Sequence, residues 1–240
     1  MTDAPDAIAL STLANDECAG QIILRAAIYI GAVHVPLWSD SASGPAPRLD
    51  GDFGASLLNL CCRASAALVD LLVNPNERDA EDDADFLAGA ALRHMYSMLP
   101  GGIAEAARLL ERAYEISPRG RYLARRAQLA AIEYVESAGE RLSELAEQSD
   151  ELCYKAIAAE GTNSNVLAAV ANARLVLDDD RVAAAELSKL AVQVNSANPP
   201  AWDAWSYALV SIGDHKRAYR AAQTAQTLSR DTHFRYSTEF

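Results

Sequence analysis

The sequence predicts a mainly α protein, with helix pairs stacked into an α-α superhelix behind a small N-terminal α/β module made of a hairpin and a helix. Three observations lead there. Ala184 and Ala191 recur as Ala218 and Ala225 after one 34-residue period. Alanine is abundant throughout, whereas the 240 residues hold only 12 Gly and 9 Pro, a balance that favours closely spaced helices. Before the repeats, a two-residue alternation of side chains between Ile22 and Leu37 marks extended chain. The acidic run at 77–85 separates the two textures, so the expected division is a module at residues 1–76 and an array at residues 77–240.

Within the module, Ile8–Ala14 reads as a short helix. Ile22, Leu24, Ala26, Ile28 and Ile30 then share one face of a strand, and Ile23, Arg25, Ala27 and Tyr29 share the other. Gly31-Ala32 is the expected turn of a hairpin whose second strand carries Val33, Val35 and Leu37. Ser, Gly, Pro and Asp crowd Ser39–Gly51, which reads as a loop. Asp52 is placed to cap a helix from Phe53 to about Val73, whose Leu57, Leu60, Ala64, Leu68 and Leu71 recur at helical spacing. Asn74-Pro75-Asn76 ends it. The acidic residues from Glu77 to Asp85 do not follow the calcium-loop pattern, and read as a solvated linker that favours the positive end of the next helix.

The last helix pair is the most regular. Pro199-Pro200 opens its first helix, Trp202, Trp205, Tyr207 and Leu209 follow, and Gly213-Asp214 turns into a second helix carrying Ala218 and Ala225. Trp at the fourth position fills a groove, Gly near the fifteenth permits the turn, and Ala at the twentieth and twenty-seventh lets helices cross closely. One unit upstream, Ala184 and Ala191 follow the turn Asp178-Asp179-Asp180. Before that, Ala156 precedes Gly161-Thr162-Asn163. The first unit has a helix from about Asp83 to Leu99, a turn at Gly101-Gly102, and Ala106 and Ala113 at the crossing positions. Between Ala113 and Ala156 the spacing exceeds one repeat, so Arg121–Ser137 and Glu140–Glu160 read as a stretched pair hinged at Ala138-Gly139. About four helix pairs result.

These residues form the tetratricopeptide (TPR) pattern, so the array is TPR-like. The segment ending GDHKRAYRAAQTAQTLSRDTHFRY further resembles the tetratricopeptide regions that follow a small α/β module in bacterial regulators, among them transcription factors with a winged helix and regulators of the class III adenylate cyclase type. In those proteins a hairpin ends in a Leu-Trp-Ser/Ala element before a loop and an Asp…Phe helix start. Here Leu37-Trp38-Ser39, Asp52-Phe53 and Leu57 match it. The resemblance spans Ile22 to Phe240. It implies the interaction or sensory part of a regulator, since neither a winged helix nor a cyclase catalytic domain is present in these residues.

Several classes of chemistry find no support. A formal net charge of −12 repels phosphate backbones, so neither direct nucleic-acid binding nor docking on anionic membranes is expected. Cys18, Cys61, Cys62 and Cys153 form no CxxC pair and have no His at zinc-finger spacing, so they read as reduced thiols with no metal. The start of the chain reads as no signal peptide and no apolar run reaches a membrane span, which predicts a soluble, cytoplasmic protein. His34, His94, His215 and His233 belong to no recognised catalytic arrangement, and no P-loop, GxGxxG, HExxH or GxSxG occurs. No enzyme and no cofactor are expected.

The expected function is therefore a protein-interaction module with a protein or peptide partner. The alternative is a sensor that binds a small molecule or peptide in the cleft between module and array or on the concave face. First helices of each pair line that face, which places Asp203 and Tyr207 in the last unit and Met95 and Met98 in the first among the candidate contacts; the alternative for each, and the favoured one for the two Met, is ordinary packing between repeats. Arg108, Arg112, Arg119, Arg121, Arg125 and Arg126 form the one basic stretch. Within it Arg121 and Arg125 are candidates for an acidic or phosphorylated partner, unless the stretch pairs with Glu111, Glu115 and the acidic linker. Phe234, Tyr236 and Phe240 are placed either to cover the open end of the array or to seed a homodimer.

Overall fold

The computed structural model describes residues 7–14, 21–29, 38–45, 60, 61, 64, 84–96, 99–137, 142–178 and 180–229. The N-terminal elements are three antiparallel strands in the order β1 (Ala7–Ala14), β2 (Gln21–Tyr29) and β3 (Trp38–Pro45). Two expectations are corrected here. The segment expected as a short helix is β1, in register with β2 from Ala7 opposite Tyr29 to Ala14 opposite Ile22. Eight residues are too few for a stable isolated helix, whereas a strand of that length gains a full ladder from its neighbour. The other edge of β2 is taken by β3, inside the segment expected as a loop, from Ile28 opposite Trp38 to Gln21 opposite Pro45. Ser, Asp and Gly are poor strand formers, but an edge strand tolerates them, and it tolerates Pro45 at its end. The strand expected at Ile22–Ile30 is thus the middle strand, β2, of a three-stranded sheet. The proposed turn at Gly31-Ala32 and second strand at Val33–Leu37 lie outside the described residues. So does the boundary at residues 76 and 77. Of the helix expected from Phe53, Leu60, Cys61 and Ala64 are described and are helical.

From Ala84 onward the described chain is helical. The elements are α1 (Ala84–Met95), α2 (Gly102–Ile116), α3 (Gly120–Glu136), α4 (Leu142–Glu160), α5 (Ser164–Ala173), α6 (Arg181–Val194), α7 (Pro199–Ser211) and α8 (His215–Ser229). Each helix packs on the next, and in addition α3 touches α5 and α5 touches α7. Contact between successive helices, together with contact between the first helices of successive pairs, is the geometry of a TPR-like array.

The crossing positions hold the small residues that the period requires. Ala106, Ala113, Ala156, Ala184, Ala191 and Ala225 are fully buried, and Ala218 nearly so. In the second pair the earlier position is Ser149, seven residues before Ala156 and also buried. Its hydroxyl is 3.9 Å from the thiol of Cys153 on the next turn of α4. At the start of α3 the helices approach closer still. A Cβ on Gly120 would lie 2.8 Å from the carbonyl oxygen of Ala156, and the Gly120 N–H donates to Glu160 Oε1 at 3.2 Å.

Caps and turns follow the sequence signals. Gly101 and Gly213 adopt left-handed backbone, with φ of 79° and 84°, at the turns into α2 and α8. Asn163 accepts from the Asn165 N–H at the start of α5, and Asp180 accepts from the Ala183 N–H at the start of α6. Between these caps α5 widens into one π-helical turn, Arg174–Asp178. Helix α5 is buried nearly all round, with Val166, Leu167, Ala168, Ala169, Val170, Ala171 and Ala173 each at most 2 % exposed. A helix apolar on every side belongs at the centre of a stack, and here α3, α4, α6 and α7 surround it. A buried polar network ties the last pair to it. Asn198 Nδ2 donates to Ser164 Oγ at 2.8 Å and to Asn165 Oδ1 at 3.1 Å, and Ser164 Oγ donates to the Ala191 carbonyl at 2.8 Å.

Candidate functional site

Three of the six candidate contact residues, Arg125, Asp203 and Tyr207, come together from the first helices α3 and α7. Asp203, on α7, is 9 % exposed, and Tyr207 one turn later is 46 % exposed. On α3, Arg125 Nη1 donates to Gln128 Oε1 at 2.7 Å, and Gln128 itself is buried. Tyr96, just past the end of α1, completes the group. Burial raises its phenol above the usual value of 10.0; the charge of Asp203 adds to the rise, while Arg125 and Gln128 oppose it. A residue on the first pair therefore senses a carboxylate on the fourth.

Tyr207 is raised too, by burial first and by Asp203 second. The result is a largely buried polar strip of Tyr96, Arg125, Gln128, Asp203 and Tyr207, with one cation, one anion and two phenols, in which Tyr207 is half exposed. It offers hydrogen-bond donors and acceptors and aromatic surface in a sheltered setting. Among the described residues no three His, Cys, Asp or Glu side chains gather to hold a metal.

Two candidates belong elsewhere. Met95 does not face the groove. It is 4 % exposed and packs in the core of the first pair with Leu87, Ala91, Ala106 and Leu110, because the apolar stripe of α1 runs through it. Arg121 is a joint between pairs: it forms an ion pair with Asp85, and its Nη2 donates to the Tyr122 hydroxyl at 3.2 Å. Met98 lies outside the described residues. The rest of the basic stretch is largely spent locally. Arg108 meets Glu105, Arg112 meets Glu115, and Arg126 stands 3.7 Å from Glu111.

No family model matches the chain, and no curated protein matches it. Among solved structures it is similar to MamA AMB-1, at 17 % identity over 74 % of this chain and 95 % of that one, with a TM-score of 0.38. It is also similar to MamA MSR-1, at 18 % identity over 75 % of this chain and 98 % of that one, with a TM-score of 0.36. Scores this low carry no argument about function, and the helical-repeat reading rests on the helices and alanines described above.

Tyr96 and Gln128 were not legible as site residues. Neither sits in a motif, and Tyr96 follows the last turn of α1, where a sequence reading sees only a helix end. Their place depends on helices that are far apart in the chain.

The tyrosines set an alkaline limit. A phenol whose folded pKa is raised contributes stability that is fully present below its unfolded value, near 10.0, and is lost as pH rises through the folded value. Tyr96, Tyr122 and Tyr207 all shift in that direction. Urea unfolding at pH 9 and pH 11 should show lower stability at the higher pH. The loss should shrink in Tyr96→Phe, and an equal loss in that variant would show that Tyr96 does not titrate abnormally.

Proposed function

We propose that the array is a protein-interaction module whose first-helix face takes a peptide segment of a partner, and that it performs no chemistry of its own. The observation that supports this most is the strip formed by Tyr96, Arg125, Gln128, Asp203 and Tyr207. Phenols with a cation and an anion in the same strip suit main-chain amides and mixed side chains, and Tyr207 remains half exposed for contact. In this reading the chain is the effector part of a bacterial regulator, acting on transcription through an attached or associated DNA-binding domain. The motif Leu37-Trp38-Ser39 followed by Asp52-Phe53 and a helical-repeat region supports that setting. The net charge of −12 favours DNA contact by another domain. Trp38 opens β3 rather than closing a hairpin, so the motif here stands as sequence only.

Placing a photo-crosslinking benzoylphenylalanine at position 207 and, as a control, at Tyr219 on α8 tests the reading. Both side chains reach solvent, at 46 % and 67 % exposure. In the native host, a discrete crosslinked partner should form from position 207 and be lost in Arg125→Glu. Equal labelling from both positions, or labelling insensitive to Arg125→Glu, would count against the strip as the binding face.

A further inference from the structure

On the second-helix side of the array, α4 and α6 part above α5 and leave a cavity of about 420 Å³. Small-molecule sites fall within roughly 300–1,000 Å³. Tyr154 and Ile157 of α4 and Leu187 and Leu190 of α6 form its apolar walls, and its charged groups are Arg174 and Glu186. The sequence reading had no use for any of these six residues.

Arg174 is the first residue of the π-helical turn, a local widening that recurs at functional sites. Its guanidinium is held loosely. Nη2 is 3.6 Å from Asp150 and Nη1 is 3.9 Å from Asp180, both well beyond the roughly 2.7–2.9 Å of a charge-assisted hydrogen bond. Its Nε is buried without an acceptor among the described residues. Both carboxylates are substantially exposed, so each keeps its hydration if Arg174 turns to another anion. An under-used cation beside an apolar cavity fits one class of ligand.

We propose that this cavity binds a monocarboxylate on an apolar stem, with the carboxylate on Arg174 and the stem between Tyr154, Ile157, Leu187 and Leu190. Glu186 in the same wall opposes negative charge in general, so a singly charged ligand relies on Arg174 and its apolar stem, and dicarboxylates and phosphates are disfavoured most. The same chemistry is offered by a free aliphatic acid and by the C-terminal residue of a peptide ending in Leu or Ile. The site is separate from the strip on the first-helix face and does not depend on it.

Isothermal titration of the full chain with octanoate, and with a short peptide ending in leucine, tests this. Each is compared with its neutral amide. Acid should bind at one site and the matching amide at least about tenfold more weakly, the factor that corresponds to about 1.4 kcal/mol. Arg174→Gln should remove that preference, and Ala183→Trp, which fills the cavity without altering a charge, should abolish binding. Tighter binding of the free-carboxyl peptide than of octanoate assigns the site to a chain end, and the reverse order assigns it to a free acid. The proposal is overturned if neither acid binds at millimolar concentration, if acid and amide bind alike, or if a folded Ala183→Trp variant binds normally. The acid–amide comparison is made on the unaltered chain, so it stands even where a variant fails to fold.

Discussion

Tyr122→Ala should lower the unfolding free energy by about 3–5 kcal/mol, the usual cost of removing a large buried aromatic side chain. Tyr122 is 2 % exposed and sits on α3, but its ring belongs to the core of the pair before it, among Leu87, Ala91, Leu109, Leu110 and Ala113. Its hydroxyl donates to Asp85 Oδ1 at 2.7 Å, near the start of α1. The residue is therefore a bolt between the first two pairs. In an array whose units touch only their neighbours, loosening one junction lets the outer unit melt separately. Urea unfolding followed by circular dichroism should change from one transition to two, with the earlier one carrying the signal of α1 and α2. Tyr122→Phe keeps the ring and leaves Asp85 to Arg121 and water, so it should cost only about 0.5–1.5 kcal/mol. A loss below about 1 kcal/mol for the alanine variant would mean that the ring does not join the pairs as described.

Ala191→Leu should be nearly as damaging, at about 1–3 kcal/mol or more, because added carbons in a filled core force side chains off their rotamers. Ala191 is fully buried against Leu167, Ala168, Val192 and Ala201, and its carbonyl accepts the Ser164 hydroxyl. A leucine there pushes α5 and α7 from α6 and strains the network through Asn198. The same change at Ala222, exposed on α8, should stay within about 0.5 kcal/mol of the parent. Equal effects at the two positions would remove the basis for reading a repeat in these alanines. Thermal unfolding of the two variants side by side decides it.

How much of this was readable in the residues varies along the chain. The crossing alanines, the turn glycines Gly101 and Gly213, the helix start at Pro199 and the turn at Asp178–Asp180 were legible, because each is a local requirement met by few residue types. The stretched second pair was legible only in outline: Ser149 stands where alanine was expected, and a serine is small enough to serve. Strand β1 was misread because eight apolar and small residues satisfy either period, and only pairing with β2 decides between them. β3 was hidden because its serines carry no strand signal, and its backbone is recruited by the free edge of β2. Met95 was open to either a groove contact or packing from its repeat position, and its neighbours Leu87 and Ala91 show the stripe that draws it inward. The cavity beside Arg174 left no trace in the sequence, since it arises from a helix widening and from the spacing of two helices that are not adjacent in the chain.

The contacts between pairs have a mechanical consequence. They run chiefly between neighbours, so a rotation at one junction is handed on to the next instead of being absorbed by a single shared core. Anything fastened to either end would then be moved by an occupant that shifts one pair.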